Sequence, residues 1–195
     1  MHFHSPLYKL TAILCFGLNT LIFPASDEDG DSQNEVRYLA LGDSYTIGEG
    51  VKEKKRWPIQ LAKRLKAAGI QVQAPEIIAK SGWTTDELMA AIDEADPTAD
   101  RDLVTLLIGV NNQYRGRSIE EYRPEFEQLL KLAIKFAQGK PRHVIVVSIP
   151  DYGLTPFIAE KPERDPQEIA AQLDAFNLAA QEITGDHGAH WVDIT

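Results

Sequence analysis

Five short apolar runs alternate with four amphipathic stretches between position 36 and the end of this 195-residue chain. The runs are rich in strand-forming residues and occupy positions 36–41, 77–79, 103–108, 144–149 and 191–194. Continuous apolar runs are typical of parallel strands buried on both faces, and the intervening periodicity is typical of helices that cover them. We therefore predict an α/β fold in which a five-stranded parallel sheet lies between two layers of helices.

The order of the strands follows from how such a sheet is connected. Right-handed crossovers between parallel strands leave few possible orders. The flavodoxin-like order 2-1-3-4-5 is the economical one, so we predict a three-layer α/β/α domain with that order. Strand 1 then lies between strands 2 and 3.

Local signals mark the ends of the predicted helices. Pro58 lies in the first turn of the first helix, and Gly69 ends that helix. Thr84 and Ser118 begin the second and third helices, because a glutamate follows each of them at capping-box spacing. Pro124 falls inside the third helix, so we predict a short separate turn or a kink there.

Composition excludes several classes of protein. The net charge is −9 and no basic stripe is present, which argues against a nucleic-acid partner. Cys15 is the one cysteine, so the chain has no disulfide framework and no cysteine metal site. No Cys/His group has zinc spacing, and we predict neither a metal nor a cofactor. The basic residues at 52–56 are interpreted as a solvated loop.

The first 26 residues resemble an export signal. Lys9 is their one charged side chain, and the apolar run 10–23 is short for a membrane span. An uncleaved anchor is the alternative. Residues 27–35 read as a polar linker, and residues 36–195 form the folded domain. We therefore expect an exported protein that does not associate stably with a membrane once the signal is removed.

A possible nucleophile follows the first apolar run directly. That run ends in Gly42-Asp43-Ser44 with no spacer. Ligands of open α/β sheets bind just beyond the carboxyl ends of the strands, so Ser44 is well placed to react. The alternative is a strand-to-loop turn without chemistry.

Two further blocks should emerge beside Ser44. Gly82 follows the second apolar run, and Asn111 follows the third. Neighbouring strands lie about 4.8 Å apart, so the three residues share one edge of the predicted sheet. Acyl transfer needs a nucleophile and donors for the developing oxyanion. The backbone N–H of Gly82, the amide of Asn111 and the N–H of Ser44 could supply those donors.

With these blocks the chain resembles the SGNH hydrolases, also called GDSL-type esterases and lipases. The serine block matches at Ser44, the glycine block at Gly82 and the asparagine block at 109–112, where Asn112 replaces the usual aspartate. The resemblance implies that Ser44 is the nucleophile and that Ser44, Gly82 and Asn111 form the oxyanion hole. It also implies a small or carbohydrate-linked acyl ester as the substrate, with no cofactor.

The family's fourth block, Asp-x-x-His after the fifth strand, is not found. His143, His187 and His190 all lie at the amino ends of predicted strands, away from Ser44. We expect that the domain is incomplete at its C-terminus and that the 195-residue chain itself is weak or inactive without the missing histidine. A non-catalytic ligand-binding protein on the same fold is the alternative.

Two other stretches should lie at the same edge of the sheet. Residues 113–116 follow the asparagine block and either line one wall of the site or form a surface loop. Tyr152 and Phe157 follow the fourth strand and either shape an acyl pocket or cover the core.

Overall fold

A five-stranded, fully parallel sheet forms the centre of the molecule. The computed structural model describes residues 35–195, so the predicted export signal and nearly all of the predicted linker lie outside the described residues. The strand order is 2-1-3-4-5, as predicted, and the α/β class is confirmed. The strands are β1 (Tyr38–Gly42), β2 (Glu76–Ala79), β3 (Leu103–Leu107), β4 (Val144–Val147) and β5 (His190–Val192).

Seven α-helices within residues 35–195 connect or follow the strands. They are α1 (Ser44–Ile47), α2 (Trp57–Ala67), α3 (Thr85–Ala95), α4 (Val110–Tyr114), α5 (Ile119–Phe136), α6 (Pro156–Ala159) and α7 (Pro166–Asp186). The long helices match the predicted ones. The short helices α1, α4 and α6 follow the carboxyl ends of β1, β3 and β4 and were not predicted.

Two cores form on opposite faces of the sheet. Side chains of β1 alternate between them: Leu39 and Leu41 join one core, while Tyr38 and Ala40 join the other. Apolar residues of α3, α5 and α7 pack in the first core, and those of α2 pack in the second. This arrangement is the predicted three-layer domain. None of the helices between residues 35 and 195 combines the length and apolar character that a membrane span needs.

The register aligns the carboxyl ends of the central strands. Gly42, the last residue of β1, pairs with Ala79 at the end of β2 and with Leu107 at the end of β3. Whatever follows these three residues must therefore leave the sheet at the same edge.

Pro124 does not interrupt α5, so the prediction of a separate short turn before it is wrong. The helix runs without a break from Ile119 to Phe136. Pro124 lies in its second turn, where the hydrogen bond that proline cannot donate would go to the carbonyl of Glu120. Both residues are exposed, so water can satisfy that carbonyl.

The capping box at the start of α5 is present as predicted. The Ser118 hydroxyl accepts a hydrogen bond from the Glu121 N–H at 3.2 Å, and the Ser118 N–H donates to the Glu121 carboxylate at 3.1 Å. We expect Ser118→Ala to lower the free energy of unfolding by about 1 kcal/mol, because one helix-end donor loses its acceptor. Urea denaturation measures this change. Ser118→Asp keeps an acceptor and should stay near wild type; an equal loss in both variants would contradict the capping role.

Candidate active site

Ser44 is the first residue of α1, and Asp43 alone separates it from the last residue of β1. Asp43 caps this helix, and its carboxylate accepts the N–H of Tyr45 at 3.0 Å. The turn is tight: a Cβ at Gly42 would overlap the side chain of Thr46 and the carbonyl of Leu107. As a first helical residue, Ser44 has an N–H with no acceptor inside the helix, and its side chain is only partly buried.

Gly82 lies beyond the carboxyl end of β2. Its φ of +88° is in the left-handed region, which a residue with a Cβ rarely adopts. Its carbonyl accepts a hydrogen bond from the Arg115 guanidinium at 2.6 Å. Its N–H has no acceptor among the described residues. The backbone is therefore held by its carbonyl while its N–H stays available to a ligand.

Asn111 reaches from the end of β3 to the Gly82 segment. It is the second residue of α4, and its amide donates a hydrogen bond to the carbonyl of Trp83 at 2.8 Å. A primary amide has two N–H hydrogens, so the second remains available once this one is used. The structure thus brings the asparagine and glycine blocks into direct contact, at the edge where Ser44 begins α1.

Arg115 ties the two blocks together from outside. Besides its bond to the carbonyl of Gly82, it pairs with the carboxylate of Glu87 at 3.3 Å. The hydrogen bond from the Thr84 N–H, with help from Arg115, lowers the pKa of the Glu87 carboxyl. The segment 113–116 therefore contributes a side chain that holds the glycine block, which spacing alone did not indicate.

Asn112 has a larger role than its replacement of an aspartate suggested. It is fully buried, its oxygen accepts the Thr85 N–H at 3.1 Å, and its nitrogen donates to the Thr85 hydroxyl at 2.6 Å. That hydroxyl in turn donates to Glu125. An ionised aspartate has no N–H to offer Thr85, so the amide suits this site.

Asp43 is the buried ionisable group next to Ser44. It is 0 % exposed, and one of its carboxylate oxygens has no hydrogen-bond partner among residues 35–195. Burial raises the pKa of the Asp43 carboxyl to about 7, although the Tyr45 N–H partly opposes this. Burial and the nearby Asp43 carboxyl also raise the pKa of Tyr45. The position of Asp43 in the strand-to-helix turn was evident from the sequence, whereas its burial depends on the fold.

The three histidines of the folded domain lie where the sequence placed them, towards the amino ends of the strands. His143 precedes β4, His190 begins β5, and His187 ends α7, where its ring contacts Glu127 at 3.0 Å. β5 is three strands away from β1, a lateral distance of about 14 Å. Within residues 35–195, no histidine follows the carboxyl end of a strand.

Aromatic side chains line the β4 side of the same edge. The Tyr152 hydroxyl donates to Gln113 at 2.6 Å, and the Tyr114 ring lies 6.2 Å from that of Tyr152 and 6.1 Å from that of Phe157. Tyr152 is buried and covers the core, whereas Phe157 is 53 % exposed. Tyr152 therefore covers the core, and a role of Phe157 in an acyl pocket stays a prediction.

No group of three or more His, Cys, Asp or Glu side chains in the described part of the chain is arranged to hold a metal ion. The polar groups described at this edge are a hydroxyl, backbone N–H groups, an amide and a buried carboxyl.

The chain is similar to known proteins in sequence and in fold. The model of the GDSL-like lipase/acylhydrolase family matches residues 40–195. No curated protein sequence matches the chain significantly.

Solved structures share the fold at low identity. AlinE4, an SGNH-hydrolase family esterase, superposes with a TM-score of 0.64 at 21 % identity, over 83 % of this chain and 77 % of that one. The acetyl xylan esterase AlAXEase gives 0.63 at 17 % identity, over 82 % and 77 %. An extracellular lipase from Streptomyces rimosus gives 0.58 at 22 % identity, over 81 % and 80 %.

Proposed function

The chain belongs to the GDSL-like lipase/acylhydrolase family, a family of hydrolases, and from this premise we propose that it is a serine ester hydrolase with Ser44 as its nucleophile. The proposed substrate is a small or carbohydrate-linked acyl ester. The observation that carries the proposal is the hydrogen bond from the Asn111 amide to the carbonyl of Trp83, the residue after Gly82. This bond lies at the edge of the sheet where Ser44 begins α1.

The proposed reaction uses the groups at this edge in two steps. The Ser44 hydroxyl attacks the ester carbonyl, the alcohol leaves, and an acyl-enzyme forms that water then hydrolyses. In each step the carbonyl oxygen gains negative charge. The N–H groups of Ser44 and Gly82 and the free amide hydrogen of Asn111 would stabilise that charge, because they are held in place before the reaction.

A non-catalytic ligand-binding protein on the same fold is the second candidate. The positions of His143, His187 and His190 favour it, because a serine hydroxyl is a weak nucleophile without an adjacent base. The two candidates differ in whether Ser44 forms a covalent bond, so the decisive experiment must detect that bond.

Covalent labelling of Ser44 tests the proposed function. We expect 4-nitrophenyl acetate to place one acetyl group on Ser44, found by intact mass and peptide mapping, and Ser44→Ala to remain unlabelled. Ser81 is an exposed serine one residue from Gly82 and serves as the internal control. Labelling of Ser81 to the same extent, or none at Ser44, would favour the binding protein.

Turnover by the 195-residue chain should be slow. Serine hydrolases that lack one triad member keep a rate of about 10³–10⁴ over water, from binding and the oxyanion hole. Because His143, His187 and His190 lie away from Ser44, replacing each by glutamine should change kcat for 4-nitrophenyl acetate less than twofold. A rapid, Ser44-dependent rate that one of these substitutions abolishes would show that this histidine is the base.

We also propose that the mature protein is exported. The support is in the sequence of residues 1–26, where Lys9 is followed by an apolar run and then by small residues. N-terminal sequencing of the protein from a cell-free or periplasmic fraction tests this proposal, and an intact Met1 would contradict cleavage.

A further inference from the structure

A cluster of positive charge lies between α1 and α2 in a chain whose net charge is −9. We call it the basic turn; it consists of Lys52, Lys54, Lys55 and Arg56. Residues Glu53–Lys55 form one turn of 3₁₀-helix, and the three lysines are exposed. The exposed lysines agree with the predicted solvated loop, but the sequence did not indicate where this loop lies relative to Ser44.

The basic turn packs against the helix that carries Ser44. The N–H of Gly48 closes α1 on the carbonyl of Ser44 at 3.0 Å, and the N–H of Val51 bonds to the carbonyl of Gly48 at 3.2 Å. A Cβ at Gly48 would lie 2.7 Å from Cγ of Arg56, so the Arg56 stem covers the end of α1. Because α1 is four residues long, it separates Ser44 from this contact by about 6 Å along its axis.

The backbone of the basic turn is held by hydrogen bonds. The N–H of Lys55 bonds to the carbonyl of Lys52 at 2.7 Å, and that of Arg56 to Glu53 at 3.0 Å. The side chain of Gln60, in α2, donates to the carbonyl of Lys55 at 2.6 Å. The backbone positions that carry these side chains are therefore fixed, and little backbone ordering would be needed to bind a ligand.

These charges are not neutralised as others in the molecule are. Arg37, Arg101 and Arg123, for example, each form ion pairs with carboxylates. No acidic side chain among residues 35–195 lies within ion-pair distance of any member of the basic turn. Nε of Arg56 is also buried without a hydrogen-bond partner in the same described region. Residues 52–56 thus carry a net charge of +3, because Glu53 offsets one of the four positive side chains.

We propose that the basic turn recognises a negatively charged group, a carboxylate or a phosphate, on the ester that Ser44 attacks. This inference rests on the proposed function and adds a substrate class to it. The geometry is suitable, because Arg56 packs on the helix that begins with Ser44, and salt screens charges only in part within the Debye length of roughly 8–10 Å. The overall negative charge disfavours an extended polyanion such as nucleic acid, so the ligand is a small anion.

Two 4-nitrophenyl esters of similar size, one anionic and one neutral, test the proposal. The anionic ester is mono-4-nitrophenyl glutarate, and the neutral one is its methyl ester. The measured quantity is the rate of nitrophenolate release, from which the rate with Ser44→Ala is subtracted. We expect kcat/KM to favour the anionic ester by about tenfold at low salt. The preference should disappear in the variant K52E/K54E/K55E, which leaves Arg56 and its packing in place, and should shrink at 0.5 M salt.

A matched variant separates local from overall charge. K63E/R64E/K66E makes the same charge change at exposed positions further along α2, and it should keep the preference for the anionic ester. The milder K52Q/K54Q/K55Q serves if charge reversal perturbs folding, as judged by circular dichroism. Inorganic phosphate and succinate, compared as competitive inhibitors, distinguish phosphate from carboxylate.

Three outcomes would overturn one of the two proposals. If the anionic preference is absent in the wild type, or falls equally in the K63E/R64E/K66E variant, the basic turn does not recognise the substrate. If Ser44→Ala releases nitrophenolate as fast as the wild type with both esters, the proposed function fails instead.

Discussion

Replacing Asn111 with alanine is expected to lower kcat for ester hydrolysis by about 10²–10³, which corresponds to about 2.7–4 kcal/mol of transition-state stabilisation. One hydrogen of the Asn111 amide is used by the carbonyl of Trp83, which fixes the direction of the other. A donor that is already oriented stabilises the oxyanion without the cost of reorganisation. The loss should therefore fall on kcat more than on KM.

A neighbouring variant separates catalysis from folding. Asn112 is fully buried and bonded to Thr85 on both sides of its amide, so Asn112→Ala should mainly lower the free energy of unfolding, by about 1–3 kcal/mol. Asn111→Ala, at a partly buried position, should leave unfolding nearer to wild type. A near-normal kcat for Asn111→Ala, with circular dichroism unchanged, would show that Asn111 does not hold the oxyanion.

Replacing Asp43 with asparagine is expected to change how stability depends on pH. Burial raises the pKa of the Asp43 carboxyl to about 7, against an ordinary value of 3.8. Below pH 4 the carboxyl is protonated in both the folded and the unfolded states. Between pH 4 and 7 the folded state keeps its proton while the unfolded state releases it, so stability falls as pH rises through this window.

The size of the effect follows from the same difference. The pKa of Asp43 differs by about 3 units between the folded and unfolded states. Each unit corresponds to about 1.4 kcal/mol, so the free energy of unfolding changes by up to about 4 kcal/mol across this pH range. Asparagine keeps an acceptor for the Tyr45 N–H but cannot ionise. The free energy of unfolding of Asp43→Asn, relative to wild type, should therefore rise between pH 4 and pH 8.5.

Urea denaturation of both proteins at pH 4, 5.5, 7 and 8.5 measures this difference. Other ionisable groups are common to both proteins and cancel in the comparison. Any cost of placing the asparagine N–H₂ where the second carboxylate oxygen lies is the same at every pH and does not change the trend. Parallel curves for the two proteins would mean that Asp43 is not buried as a neutral group.

Much of the fold could be predicted from the sequence, because helices and strands produce patterns among residues that are close together in the chain. An apolar run and an amphipathic stretch each reflect the environment of consecutive residues, so their alternation predicted the α/β class, and the rule of right-handed crossovers then predicted the strand order. The capping boxes at Thr84 and Ser118 were predicted for the same reason, since both partners lie within one turn of helix. Pro124 was the exception, because it and Glu120 are exposed residues, where water can take the place of the missing hydrogen bond.

The order of motifs along the chain determined which edge of the sheet carries the candidate site, since the serine, glycine and asparagine blocks each follow a strand. Only the tertiary structure decided how these blocks meet. The bond from Asn111 to Trp83 joins residues 28 positions apart, and that from Arg115 to Gly82 joins residues 33 apart. Likewise, the burial of Asp43 and the packing of Arg56 on α1 depend on neighbours that the fold supplies. Periodicity records whether a side chain is buried, but partners distant in sequence are chosen by packing.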